Sequence, residues 1–347
     1  MDFFMPRSML SMEHPYAAQG NSPFIGCVPR ADQCYPALAV LLSGCFEESV
    51  SGAVLCQALG ILVYLLGVWM VLRKYKVDAP VAVASLLVSS PCLFSFEVGN
   101  LIFYAAGAVM FFIAWYDSDS RKRRVVAALA LAIAAVLKIA PVILGLAYLR
   151  CGRARDWRGA FLSGSFFLIL LLVPFAFWSG AEGFSSWVEN ARANSSQAEY
   201  VTRNVFGFYG LVSGLVQIVG YSAEVMPVLQ TPVRLFSSVF GLLLVILAAF
   251  RDGDEFVQMC LLALGMLFVP STMMCYTVLY VLPFFLVGTA RYHGRMANAF
   301  GLCFVSSCLP LQIPLLLGSA NICFSAAAML DLSFMLLKQK TAQEVSS

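Results

Sequence analysis

Charge is what this chain has least of. Only 12% of its 347 residues are Asp, Glu, Lys or Arg, about half the share usual in a soluble domain. Hydrophobic residues make up 61%, and the mean hydropathy is +0.83. A water-soluble fold of this size has too few charges here to cover its core. The same figures exclude a disordered chain, a coiled coil, collagen and a secreted disulfide scaffold. Histidine is nearly absent: His14 and His293 are the only two, which rules out a multi-histidine metal site. None of the eleven cysteines forms a CxxC pair of the zinc or redox kind. Walker, HExxH, GxSxG and GxGxxG sequences are also missing. Met1 to Tyr35 has no positive n-region leading into an apolar core, so it is not a signal peptide. The net charge of +3 is too small to point to nucleic acid. A polytopic membrane protein remains.

Most cysteines lie inside apolar runs (Cys56, Cys92, Cys260, Cys303, Cys308, Cys323) and read as small packing residues. Cys27 and Cys34 share a polar loop and can form a disulfide if that loop faces an oxidising compartment. A crossing needs about 20 apolar residues. Candidate spans are Gly52 to Leu72, Ala79 to Ser95, Asn100 to Tyr116, Ala160 to Trp178, Val233 to Phe250, Phe256 to Pro270, Thr272 to Ala290, Ala297 to Pro314 and Ser319 to Leu337. Basic clusters at 73–76, 121–124, 150–158, 291–295 and 338–340 belong on the cytoplasmic side. Clusters 121–124 and 150–158 then need an even number of crossings between them. Val125 to Leu149 is too short for two ordinary spans. It reads as a broken hairpin of two half-length helices meeting at Lys138-Ile139-Ala140-Pro141, because proline disfavours helix at the residue before it.

The expected fold is therefore all-α: a polytopic transmembrane helical bundle of about nine full spans plus the broken hairpin. The chain divides into four regions. Residues 1–51 form an outer loop with a short interfacial helix, and 52–178 an N-terminal transmembrane core. Residues 179–232 form a second outer loop with an interfacial helix at 205–219, and 233–347 the C-terminal transmembrane helices. This orientation puts about fifty polar-rich N-terminal residues outside with no upstream signal, so we expect an earlier span to be missing from this chain.

Lys138 is the most informative residue. An ammonium within a hydrophobic stretch costs about 3 kcal/mol or more, and such a residue usually faces a cavity or a partner. It reads either as a cation for a lipid phosphate or as a lysine that snorkels from a helix end or pairs with Glu97. The expected outer surface gathers carboxylates, cations and rings. Asp2, Glu13, His14 and Asp32 lie in the N-terminal loop, Glu97 and Asn100 in a short turn. Glu182, Glu189, Arg192, Glu199, Arg203, Trp187, Tyr200, Phe206 and Tyr209 lie in the large loop. Such a set suits sugar handling; it equally describes solvated loops and an interfacial aromatic belt.

Four stretches carry a resemblance. They are Asp2-Phe3-Phe4-Met5-Pro6-Arg7; Pro23-Phe24 and then Cys34-Tyr35-Pro36-Ala37-Leu38-Ala39; Glu97-Val98-Gly99-Asn100-Leu101; and Ala134-Ala135-Val136-Leu137-Lys138-Ile139-Ala140-Pro141 with the arginine cluster and Trp157 behind it. In order and spacing, from residue 2 to about 178, they are similar to glycosyltransferase family 87. These are polytopic GT-C enzymes that include polyprenol-phosphate-mannose-dependent mannosyltransferases. Tyr-Pro-Ala stands where the family has Tyr-Pro-Pro, Glu97 where it often has Gly, and Val98 where it has Gln. The resemblance starts after the family's first span, which is the span we expect to be missing.

The resemblance implies an integral membrane hexosyltransferase of a bacterial plasma membrane, working on the outer face. Its substrates would be a polyprenyl-phosphate sugar donor, with mannose as the sugar, and a lipid or glycan acceptor; nucleic acid is no partner. Asp2 would be the general base of an inverting transfer. Lys138, and Arg203 second, would hold the donor phosphate; Tyr35, Glu97, Asn100 and Tyr209 would touch sugar or acceptor. No cofactor or metal is implied, although Asp2, Glu97 and Asp32 could in principle hold a cation. Two other classes stay open: a secondary transporter, weakened by the lack of an internal repeat, and a non-catalytic membrane assembly protein.

Overall fold

Inside hydrocarbon no water is available to the backbone, so spanning segments must close their N–H and C=O groups within helices. The computed structural model describes residues 35–77, 80–149, 155–196, 205–206, 208, 211–212, 215–216, 225–250, 253–270, 273–309 and 315–339, and it is built on helices. In chain order they are α1 (Ala37–Gly44), α2 (Val50–Lys74), α3 (Pro80–Leu87), α4 (Ser90–Val98), α5 (Ile102–Trp115), α6 (Arg121–Leu137), α7 (Trp157–Trp178), α8 (Gly180–Ser196), α9 (Val225–Phe250), α10 (Glu255–Phe268), α11 (Leu282–Arg291), α12 (Gly294–Cys308) and α13 (Leu315–Lys338). Two 3-10 segments, Ala140–Leu149 and Cys275–Tyr280, join them. So does a short antiparallel ladder of β1 (Val205–Phe206) and β2 (Met273–Met274), with Val205 opposite Met274.

Three described helices are long and apolar enough to cross a membrane: α2, α7 and the Thr231–Phe250 part of α9. At 25 residues, α2 extends about 37 Å, more than the roughly 30 Å of hydrocarbon. Only 11% of the α7 span is buried, and Phe161, Leu168, Ile169, Leu172 and Phe177 stand exposed along it. So large a continuous apolar surface is lipid-facing. The chain is an all-α polytopic membrane protein.

The described residues fall into two compact units. One lies within Met1–Gly67, Phe94–Val142 and Phe161–Gln197, the other within Val68–Leu93, Ile143–Ala160 and Ala198–Ser347. Lipid tails are as apolar as leucine, so helices in a bilayer associate through close packing of small residues and through hydrogen bonds. In the first unit a Cβ on Gly67 would come within 2.8 Å of the Gly107 carbonyl oxygen and 2.7 Å of Met110 Cβ, so α2 lies directly against α5. α6 buries a row of alanines (127, 128, 130, 132, 134 and 135). Ser163 Oγ on α7 donates to the Ala128 carbonyl at 3.2 Å.

The second unit uses the same devices. Ser237 and Ser238 on α9 donate to the carbonyls of Phe268 and Val269 at 2.9 and 2.8 Å. Gly241 lies against Val269 and Gly265, and Gly265 against Val245, so α9 and α10 run antiparallel. Phe208 packs among Phe236, Phe240 and Phe268, with ring centroids 4.7, 5.2 and 5.4 Å away. At the basic end of this unit Asp254 caps α10, its Oδ1 accepting from Phe256 N at 3.0 Å. Its Oδ2 accepts from Arg291 at 2.7 Å and from the Tyr292 hydroxyl at 3.5 Å. Lys74 reaches Glu255 at 2.6 Å. Burial, and then the Asp254 carboxylate, push the Tyr292 phenol up to about 12.

Several expected limits change. The span expected over 79–95 is two short helices, α3 and α4, parted at Val88-Ser89. The one expected over 272–290 begins with β2 and the 3-10 segment Cys275–Tyr280 and is α-helical only from Leu282, with Pro283 in the first turn, where a missing N–H is tolerated. The start of the expected interfacial helix at 205–219, Val205–Phe206, is extended because it pairs with Met273–Met274. The polar stretch after Ser179, expected to be loop, is the 17-residue helix α8. Gly180, at φ +67°, turns the chain directly from α7 into it.

Candidate functional site

The break after α6 falls where the proline rule expects it. α6 ends at Leu137, and Lys138 turns extended (φ −149°, ψ 108°) although its N–H still donates to the Ala134 carbonyl at 2.9 Å. Beyond Ile139 the chain continues as a 3-10 run rather than a second α-helix. The 17 residues of α6 carry the chain about 25 Å from Arg121, so Lys138 lies nearly a bilayer core away from its helix's basic first turn.

Tyr35 meets it there. The Lys138 ammonium lies 5.8 Å from the centre of the Tyr35 ring, within cation–π reach. Tyr35 in turn packs on a buried cluster of Ala37, Val40, Phe175 and Trp187. Phe175, Phe184 and Trp187 contact one another with centroids 5.4 to 5.7 Å apart. α8 is amphipathic in the expected way: Gly183, Trp187 and Asn190 are buried at i, i+4 and i+7, while Glu182, Ser185, Glu189 and Arg192 are exposed. Thus α1, the end of α7 and α8 pack around Tyr35, whose ring meets Lys138 at the end of α6.

The Glu97–Asn100 turn is a helix stop and then a helix start. Gly99 adopts φ +75°, the Asn100 N–H donates back to Ser95 O at 3.2 Å and the Gly99 N–H to Phe96 O at 3.1 Å, a Schellman closure of α4. Asn100 is 2% exposed, and its Oδ1 accepts from Ile102 N at 3.1 Å, so its side chain holds the first turn of α5. Glu97 is exposed on the last turn of α4. Asp2, Arg203 and Tyr209 lie outside the described residues, as do Cys27 and Cys34. Among the described residues, no three His, Cys, Asp or Glu side chains gather as a metal site would require.

One polar residue was missed by the sequence reading. Gln57 on α2 is 3% exposed, and neither its Oε1 nor its Nε2 has a hydrogen-bond partner among the described residues. The signal was present: it is the only amide in the apolar run from Gly52 to Leu72. Attention to charge alone passed over it.

The sequence model of glycosyltransferase family 87 matches residues 34–277, more than two thirds of the chain. The protein belongs to glycosyltransferase family 87 and is a membrane glycosyltransferase. The matched stretch includes Tyr35, Gln57, Glu97, Asn100, Lys138, Arg203 and Tyr209; Asp2 precedes it. No curated protein matches the chain.

Proposed function

We propose that the protein is a hexosyltransferase of a bacterial plasma membrane. It takes its sugar, mannose on our reading, from a polyprenyl-phosphate donor and passes it with inversion to a lipid or glycan acceptor on the extracytoplasmic face. One observation carries this reading: the Lys138 ammonium, set over Tyr35 at the end of α6 remote from the Arg121–Arg124 cluster. Basic clusters stay with the cytoplasm, so the far end of α6 belongs to the opposite face.

The chemistry is set by charge. The donor is a phosphodiester with one negative charge, and the departing polyprenyl phosphate gains a second. A cation beside it therefore stabilises the transition state more than the ground state. Lys138 supplies that cation, with Arg203 as the second. The acceptor oxygen bonds to the anomeric carbon while its proton passes to the Asp2 carboxylate. The bond from that carbon to the phosphate oxygen breaks, and its electron pair stays on the phosphate. Tyr35, Glu97 and Tyr209 contact sugar or acceptor, and Asn100 contributes through the turn it caps. The polyprenyl tail lies along the exposed apolar helix faces.

The test is transfer from a panel of polyprenyl-phosphate sugars by the purified full chain in nanodiscs. Asp2→Asn is expected to abolish transfer while insertion and melting temperature stay unchanged. Full activity in that variant would discard Asp2 as the base.

A further inference from the structure

α2 crosses hydrocarbon with one amide in it. Gln57 lies on the buried stripe of Ala53, Gly60 and Tyr64, at helical spacing, and both ends of its amide are buried with no partner among the described residues. A polar group left unmade in so dry a place is costly, and folded proteins retain few of them.

Its height in the first unit is fixed by its neighbours. α2 and α5 run parallel: Gly60 meets Phe103 and Tyr104, and one to two turns on Gly67 meets Gly107 and Met110. The Tyr104 hydroxyl donates to the carbonyl of Cys56, the residue before Gln57, at 2.7 Å. One turn back from Gly60, Gln57 is therefore level with the Gly99–Asn100 turn. α6 returns beside α5 after a connection of residues 116–120, so the two are antiparallel and Lys138 comes to that same level. Seven residues from Val50, Gln57 lies only about 10 Å from the start of its helix.

We infer that Gln57 recognises sugar hydroxyls at the Lys138 end of the unit, an inference that rests on the transferase reading above. An ammonium holds a phosphate whatever sugar it carries. An amide offers one acceptor and two donors, which match a pair of neighbouring hydroxyls that each give and take a hydrogen bond. A site built to hydrogen-bond a hydroxyl discriminates strongly against a ligand that lacks it. The hydroxyl pair belongs either to the donor hexose or to a sugar-bearing acceptor.

Gln57→Met keeps length and volume and removes the hydrogen-bonding amide. Binding to the full chain in nanodiscs is measured for polyprenyl-phosphate mannose, polyprenyl phosphate without sugar, and methyl α-mannoside. The expected result is an affinity loss of about 10–100-fold for a sugar-bearing probe, the scale of leaving a hydrogen-bonding group unsatisfied, with the bare lipid unchanged. Loss on the mannosyl lipid assigns Gln57 to the donor, and loss confined to the mannoside assigns it to the acceptor. Unchanged affinity for all three probes, with a higher melting temperature, overturns the inference and leaves the amide a mere packing defect. A wild-type chain that binds neither sugar probe overturns it as well. Lys138→Met is read separately on the bare lipid: if that affinity does not move, the phosphate role of Lys138 fails while the Gln57 comparison stands.

Discussion

At the basic end of the second unit two acids and two bases pair. Asp254 caps α10 and takes Arg291 and Tyr292, and Glu255 takes Lys74. At the Lys138 end of the first unit an ammonium rests over a tyrosine ring, and an amide nearby in height pairs with nothing described. The first arrangement is what a protein does to finish a helix start and hold helices together. A buried amide with no partner described costs stability without an internal return, which is how a binding site differs from a joint. The buried amide without a described partner tells the two ends apart.

Four substitutions break or sharpen that contrast. Lys138→Met should have the largest effect, lowering kcat/KM for sugar transfer by about 10²–10³-fold, the scale of losing one transition-state electrostatic partner. Its melting temperature should hold or rise, and Lys138→Arg should recover part of the rate. A fall in stability equal to the fall in rate would make Lys138 a joint like Asp254. Asp254→Ala should do the reverse: it loses a helix cap of about 1 kcal/mol plus a half-exposed ion pair that adds little. Unfolding in detergent should register the loss, while the transfer rate per folded molecule stays constant. Tyr35→Leu removes a cation–π contact of about 0.5–1 kcal/mol, so donor KM should rise roughly two- to five-fold with kcat nearly unchanged. Tyr292→Phe is the smallest. The phenol is raised from its usual value of about 10 to about 12. The unfolded chain therefore releases that proton first, and stability from this group is full below pH 10 and declines as pH rises towards 12. The variant should melt with a shallower dependence over that window.

Much of this was legible along the chain. Hydropathy located the three helices long enough to cross, α2, α7 and the Thr231–Phe250 part of α9, because a bilayer demands long apolar helices, and proline pointed to the break at Lys138. Limits failed where a local contact outweighed hydropathy: Val205–Phe206 gave up helix for a ladder with Met273–Met274, and the 79–95 run split at Val88-Ser89. The polar stretch after Ser179 concealed α8 because its mean composition is hydrophilic, while its buried face needs only Gly183, Trp187 and Asn190. Tyr35 and Lys138, a hundred residues apart, were named as candidates from the resemblance and from a lone charge. Gln57 was passed over because a single amide looks minor beside a charge until its burial is seen.

Composition alone settled that this is a membrane protein made of helices, since so few charges cannot clothe a core in water and an unpaired backbone cannot live in lipid. The order of its motifs settled its kinship with glycosyltransferases. Folding had to decide which polar side chains find partners and which, like Gln57, find none among the described residues. Burial and pairing depend on neighbours brought in from distant parts of the chain, and no window of sequence contains those neighbours.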